Sequence, residues 1–270
     1  MMQKTFLYQN AAIRYWVYGT GKPVVLLHGF AEDHSIWNNQ VNYLKSHCKL
    51  IVPDLPGSGQ SALLQGANVA IETYADCILH LLEEEKIDAC ILLGHSMGGY
   101  ITLAFAEKHP EKLNGFGLVH STAFADSEGK KLTRQNGIKT MEEYGAFPFI
   151  KNTTPNLFSA KSKQEQPEIV DALTEAGKNF TTPALVQYYT AMMNRPYRTE
   201  VLKKSRVPVL FIIGSEDTAA PLPDLLEQVH LPNISHIHII EGVGHISMLE
   251  APDELNKHLL AFIGESGQLL

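Results

Sequence analysis

The pentapeptide Gly94-His95-Ser96-Met97-Gly98 constrains this chain more than any other stretch. An apolar run, Cys90-Ile91-Leu92-Leu93, precedes it, and Tyr100-Ile101-Thr102-Leu103-Ala104 continues it as the opening of a helix. Glycine tolerates backbone angles and close approaches that other residues do not. This spacing therefore lets a strand turn sharply into a helix and leaves the central serine at a strained, exposed apex. Other strand-to-helix turns are also rich in glycine, but a phosphate-binding loop ends in Gly-Lys-Ser or Gly-Lys-Thr and a dinucleotide site needs G-x-G-x-x-G. Neither pattern stands at this turn, and the spacing predicts a strand–turn–helix unit that presents Ser96 for chemistry.

The rest of the chain repeats that unit. Residues 5–8 and 11–18, on either side of Gln9-Asn10, are aromatic and branched with partial alternation, as in an antiparallel hairpin. Short apolar runs follow at 24–27, 50–52, 90–93, 116–119, 209–213 and 237–240. Continuous apolar runs of this length suit parallel strands covered on both faces. Helical periodicity fills the gaps, clearest where Ile71, Tyr74, Ala75, Ile78, Leu81 and Leu82 share one face. A second helix runs over 97–108 and stops at His109-Pro110, and a last one begins at Pro252, with Asp253 and Glu254 in its first turn. Alternating strands and helices predict a mostly parallel, doubly wound α/β sheet with the hairpin at its amino end. Between 122 and 200 the strands cease, while 169–176 and 183–193 read as helices. The expected organisation is a core of residues 1–121 and 201–270 with a helical cap, or lid, inserted at 122–200.

Composition narrows the partners. The chain has 270 residues, 44 % hydrophobic and 19 % charged, which is ordinary globular usage and excludes a disordered or fibrous protein. A formal charge of -7 without a Lys/Arg-rich run gives no electrostatic footprint for nucleic acid. The first residues lack the apolar core of a signal peptide, and no apolar run reaches the ~18 residues of a spanning helix. Cytoplasmic location and a small-molecule substrate are the expectation, with the oligomeric state left open. Cys48, Cys77 and Cys90 are too few and scattered for a disulfide framework or zinc site and read as buried thiols.

Five stretches, in order, carry a resemblance to the α/β-hydrolase family, in particular its serine-nucleophile, esterase-like members with a helical lid. They are His28-Gly29-Phe30, Asp54-Leu55-Pro56-Gly57-Ser58-Gly59-Gln60-Ser61, the turn Gly94-His95-Ser96-Met97-Gly98-Gly99, Gly214-Ser215-Glu216-Asp217, and Gly242-Val243-Gly244-His245. The resemblance implies an α/β-hydrolase fold, with Ser96 as nucleophile, His245 as base and Asp217 as the acid that orients the base. A serine hydroxyl needs such a base, itself held by a carboxylate. Glu216 is the near rival to Asp217, and Asp126, after the strand ending at 119, is a remoter one. The family also places an oxyanion hole at two backbone N–H groups, here those of Phe30 and Met97. His28, His34, Asp54 and His95 read as structural. His236 and His238 alternate on a strand without a convergent carboxylate or cysteine, so no metal site and no cofactor is expected.

The cap carries ten Lys/Arg and nine Asp/Glu and offers an ionic substrate no net attraction. Its apolar residues Phe124, Phe147, Phe149, Phe158, Tyr188 and Met192 are the candidates for lining a substrate pocket, although lid helices must also bury a face to be stable. The resemblance implies hydrolysis of carboxylic esters of small apolar or aromatic substrates through an acyl-enzyme. A carbon–carbon bond hydrolase with the same triad and a hydrolase-fold ligand receptor with little turnover are the alternatives. Serine at 96 argues against dehalogenases and epoxide hydrolases of this fold, whose turns carry aspartate.

Overall fold

Gln9 and Asn10 take φ angles of 47° and 64°, the left-handed pair that a two-residue hairpin turn requires. They join β1 (Met2–Tyr8) to β2 (Ala11–Tyr18) in antiparallel register, Tyr8 opposite Ala11. This is the computed structural model of the chain, and it describes residues 1–66 and 68–266. Six further strands follow: β3 (Pro23–Leu27), β4 (Lys49–Pro53), β5 (Cys90–His95), β6 (Leu113–Val119), β7 (Val209–Gly214) and β8 (Ser235–Ile240). The eight form one sheet in the order β1-β2-β4-β3-β5-β6-β7-β8. The pairs β1–β2 and β2–β4 are antiparallel and all later pairs are parallel.

Because side chains alternate across a strand, each central strand feeds two cores. Val25, Leu27, Ile51 and Leu92 pack beneath α2 (Ile71–Glu84) and α3 (Met97–Lys108). Val24, Leu26, Leu50, Ile91 and Leu93 face the opposite way, toward Trp37, Val41 and Leu44 of the segment ending in α1 (Asn38–Leu44) and toward Leu255, Leu259 and Phe262 of the C-terminal helix. Burial on both faces explains why these strands carry no polar alternation. The chain leaves β3 in one direction to β4 and returns on its other side to β5, so the crevice at the carboxyl ends of β3 and β5 is the place where ligands of such sheets bind.

Between β6 and β7 the described residues hold helices and no strand. These are α4 (Glu128–Tyr144), α5 (Ala146–Thr153), α6 (Ala160–Glu165), α7 (Pro167–Ala176), α8 (Thr182–Met193) and α9 (Thr199–Lys204). Helix α8 is fastened to the turn after β4: the Tyr188 hydroxyl donates to the Pro56 carbonyl at 2.7 Å and lies 2.7 Å from Ser58 Oγ. Asp126, just before α4, takes Arg134 Nε and Arg195 Nη1 on its two oxygens, at 2.5 and 2.7 Å. After β7 come α10 (Leu222–Leu226), α11 (Ser247–Glu250) and α12 (Pro252–Glu265). No helix among the described residues is long and apolar enough to cross a membrane. The three cysteines are buried free thiols, and burial pushes Cys48 up to about 11 and Cys90 up to about 12, away from thiolate chemistry.

Candidate active site

Ser96 is the one residue from 90 to 106 that is not buried. Its φ of 50° and ψ of -112° place a non-glycine residue in a strained region. The backbone around it is pinned to compensate: Ser96 N–H donates to Val119 O at 2.9 Å, and Ser96 O accepts from Gly99 N at 2.9 Å and Ser121 Oγ at 2.7 Å. Gly94 permits the turn, since a Cβ there would fall 2.2 Å from the Gly98 carbonyl. The loop after β3 closes on the serine, with a Cβ at Gly29 lying only 3.2 Å from Ser96 Cβ. Among the described residues the N–H groups of Phe30 and Met97 donate to nothing within the chain, so two backbone donors beside Ser96 are free.

Asp217 and His245 emerge from the carboxyl ends of β7 and β8. His245 Nδ1 lies 2.7 Å from Asp217 Oδ2, and both side chains are buried. Facing a carboxylate, Nδ1 carries the ring proton and Nε2 keeps its lone pair. Asp217 Oδ1 accepts from the N–H groups of Ala219 and Ala220, each at 2.8 Å. Burial alone would raise the Asp217 carboxyl, but the His245 charge and the hydrogen bonds of His120 and His245 hold it far below the usual range. Burial works to lower His245, and Asp217 overrides it, so the imidazole is raised above its ordinary 6.5. No hydrogen bond joins Ser96 Oγ to His245 Nε2 among the described residues; such bonds commonly tighten only around a substrate.

The rival carboxylates are engaged elsewhere. Glu216 Oε2 accepts from Ala160 N–H at 3.0 Å, and Asp126 is occupied by its two arginines. His28 bridges backbone, with Nδ1 against Gly29 O and Nε2 accepting from Leu55 N, both at 2.9 Å. Asp54 takes His34 N and Nδ1 and Gln60 N at 2.9, 2.7 and 2.7 Å. His95 lies behind His245, its Nε2 donating to the His245 carbonyl at 2.9 Å and its Nδ1 2.9 Å from Glu32 Oε2. His236 and His238 lie on β8, with His236 near Glu265 and His238 stacked on His258 at 3.8 Å.

Of the cap residues, Phe149 and Tyr188 gather around Phe30 with ring centroids 6.5 Å away, and Tyr189 stacks on it at 4.3 Å. Met192 is buried in the same core cluster. Phe147 lies under Lys178 Nζ, Phe124 pairs with Tyr197, and Phe158 packs into the other core. A small cavity of about 90 Å³ beside Phe30 is lined by Ile150, Leu157 and Tyr189. A larger cleft of about 580 Å³ lies among Phe116, Val207 and Lys204, toward the amino ends of β6 and β7. It is remote from the elbow, on the edge of the sheet where such folds do not place their chemistry.

Three polar residues of the site carry no motif: Glu32, His120 and Ser247. His120 Nδ1 lies 3.1 Å from Asp217 Oδ2, and its Nε2 lies 2.8 Å from Ser247 Oγ. The one available signal is position, since His120 directly follows β6 at the ligand-binding edge. His120, Asp217 and His245 bring one ligand-type atom each within 4.8 Å of one another, as do Asp33, His34 and Asp54. His120 and His245 both bond Asp217, and His34 bonds Asp54 while Asp33 accepts from Ser35 N–H and Oγ, so these atoms are engaged in polar networks.

An eight-stranded, mostly parallel sheet with a serine elbow at the β5–α3 turn defines the α/β hydrolase class. The sequence profile of the alpha/beta hydrolase family matches residues 24–258, and the chain belongs to that family. It is 28 % identical over 90 % of its length to Lipase 1 of Psychrobacter immobilis, covering 77 % of that protein. It is 25 % identical to the 2-hydroxy-6-oxo-6-(2'-aminophenyl)hexa-2,4-dienoic acid hydrolase of Metapseudomonas resinovorans, over 95 % of this chain and 89 % of the relative. Its fold superposes on a thermophilic esterase from Thermogutta terrifontis with a TM-score of 0.93, at 24 % identity over 98 % of this chain and 99 % of the other. Family, fold and relatives together make it a hydrolase.

Proposed function

We propose that the protein is a serine hydrolase that cleaves carboxylic esters of small apolar or aromatic substrates through an acyl-enzyme. The observation that carries this reading is the 2.7 Å bond from His245 Nδ1 to a four-times hydrogen-bonded Asp217, set beside a strained serine elbow. Ser96 Oγ attacks the ester carbonyl while His245 Nε2 takes its proton, and the imidazolium that forms is stabilised by Asp217. The carbonyl oxygen becomes an anion between the free N–H groups of Phe30 and Met97; losing one such donor typically costs about 3–4 kcal/mol of transition-state stabilisation. His245 then returns the proton to the leaving alcohol, and water, activated by the same base, releases the acid. The helices of 122–200 act as the cap, with Phe30, Phe149 and Tyr189 offering the acyl group an apolar wall. The lipase and esterase relatives support the ester reading.

Purified protein is expected to hydrolyse short p-nitrophenyl esters, and Ser96→Ala to abolish this by at least ~10³-fold. A fluorophosphonate should label Ser96; turnover that persists in the alanine variant overturns the assignment. A second reading, carbon–carbon bond hydrolysis, draws on the dienoic acid hydrolase relative. Turnover of a vinylogous diketone acid, with none of simple esters, would favour it.

A further inference from the structure

Asp217 Oδ2 accepts from two imidazoles, His245 at 2.7 Å and His120 at 3.1 Å. A triad needs only the first. His120 is fully buried and holds a φ of 50°, a strained angle for a residue with a side chain. Its backbone N–H continues the sheet to Ile212 O at 2.9 Å, which anchors its backbone at the end of β6. Burial lowers the His120 imidazole despite Asp217, which favours its neutral form. With Nδ1–H given to the carboxylate, Nε2 is an acceptor, and the Ser247 hydroxyl 2.8 Å away donates to it. Ser247 stands two residues after His245. The hydrogen bonds therefore close a ring: from His245 to Asp217, from His120 to the same oxygen, from Ser247 to His120, and back along the chain through Ile246.

We propose that His120 is a positioning residue, held by Ser247, that locks Asp217 Oδ2 between two donors and so limits how strongly the acid draws on His245. The proposal rests on the reading of Asp217 and His245 as acid and base. The groups that face His245 are Asp217 from β7, His120 from β6, His95 from β5, Glu32 from the loop after β3 and Glu250 from α11. His120 itself faces Asp217, His245, His95 and Ser247. Among the described residues only His120 donates a side-chain N–H to the same carboxylate oxygen as the base. Without that donor, the charge on Asp217 is less satisfied and holds the proton on His245 more tightly.

The test compares His120→Leu, which has no donor, with His120→Asn, whose amide N–H sits near the place of Nδ1. In the leucine variant the acid limb of the kcat/KM profile on a p-nitrophenyl ester should move up by about 0.5–1 pH unit, a 3- to 10-fold loss at the low-pH end. Asparagine should return the limb to near its wild-type position. Ser247→Ala, which releases the His120 ring, should move the limb in the same direction by less. The His245 ring resonances, titrated by NMR in folded protein inhibited by nothing, should report the same shift without turnover. An unmoved limb and an unmoved titration in folded leucine or alanine variants overturn the proposal, as do equal shifts in leucine and asparagine. If leucine does not fold, the Ser247→Ala titration decides alone. Absence of Ser96 labelling in the wild type would instead refute the hydrolase mechanism, and the NMR titration would still judge His120.

Discussion

A Cβ on Gly98 would lie 2.6 Å from the Leu27 carbonyl oxygen and 2.8 Å from that of His28. Those carbonyls belong to backbone that cannot give way without moving the loop that carries Phe30. Gly98→Ala should therefore lower stability by roughly 1–3 kcal/mol and reduce the proposed ester turnover by at least ~10-fold, because it displaces the Phe30 N–H proposed as an oxyanion donor. A thermal melt and a turnover assay check both halves, and normal turnover would contradict the geometry. His245 makes a second prediction. As the proposed base it must be neutral, and its raised affinity means that it protonates before an ordinary histidine does as the pH falls. The wild-type kcat/KM should thus decline on the acid side with a midpoint above ~6.5; a midpoint below that value counts against the Asp217–His245 pair as the source. Ser96, Asp217 and His245 stood out in the sequence because each sits in a glycine-marked turn after an apolar run. The fate of Asp126 and Glu216 did not, since Asp126 needs Arg195 from 69 residues on as well as nearby Arg134, and Glu216 needs the Ala160 N–H from 56 residues before it. His120 and Glu32 were equally silent, being single polar residues whose meaning lies in what another strand brings to them.

At the scale of elements, α8 shows how the insertion is held. Tyr188 is fully buried, and its hydroxyl serves Pro56 O and Ser58 Oγ. Tyr188→Phe keeps the ring packing but strands a carbonyl and a hydroxyl, and should cost about 1–3 kcal/mol. Chemical denaturation measures this, and a change within ~0.3 kcal/mol would mean that water replaces the hydroxyl. Helices α7 and α8 were visible in the sequence, with Pro167 and Pro183 in their first turns and apolar residues on one side. Helix α4 was not. Its seventeen residues bury only Gly137 and Met141, so no apolar stripe marks it, and its one local sign is Ser127, whose Oγ accepts from Lys130 N–H.

Across the whole molecule, Glu85 ties the first hairpin to the sheet. Its carboxylate takes Lys4 from β1 at 2.6 Å, Tyr15 from β2 at 2.9 Å and Lys49 from β4 at 2.8 Å. Burial would raise this carboxyl, but the two ammonium groups and the phenol bring it down to about 2. A lowered carboxyl stabilises the fold fully above its unfolded value of ~4.3, and the contribution fades as the pH drops toward 2. In Glu85→Gln the acid-side fall in melting temperature between about pH 4.5 and 2 should be shallower than in the wild type; parallel curves would remove Glu85 from the account. The parallel core was readable because strands buried on both faces are apolar throughout. The strand order was not, since apolar runs say that strands neighbour one another but not which.

A seam at His245 joins the helices between β6 and β7 to the rest of the fold. The His245 N–H donates to Leu157 O at 2.7 Å, Ser159 N–H donates to Glu250 Oε2 at 2.9 Å, and a Cβ on Gly244 would fall 2.5 Å from that Leu157 oxygen. Grafting the helices of a relative into this scaffold to change substrate choice would bring in a foreign stretch at 157–159. Such a chimera would inherit the pocket of one parent and lose the seat of the other's histidine. Junctions that leave 157–159 native, or a graft that carries 244–250 along with it, keep both.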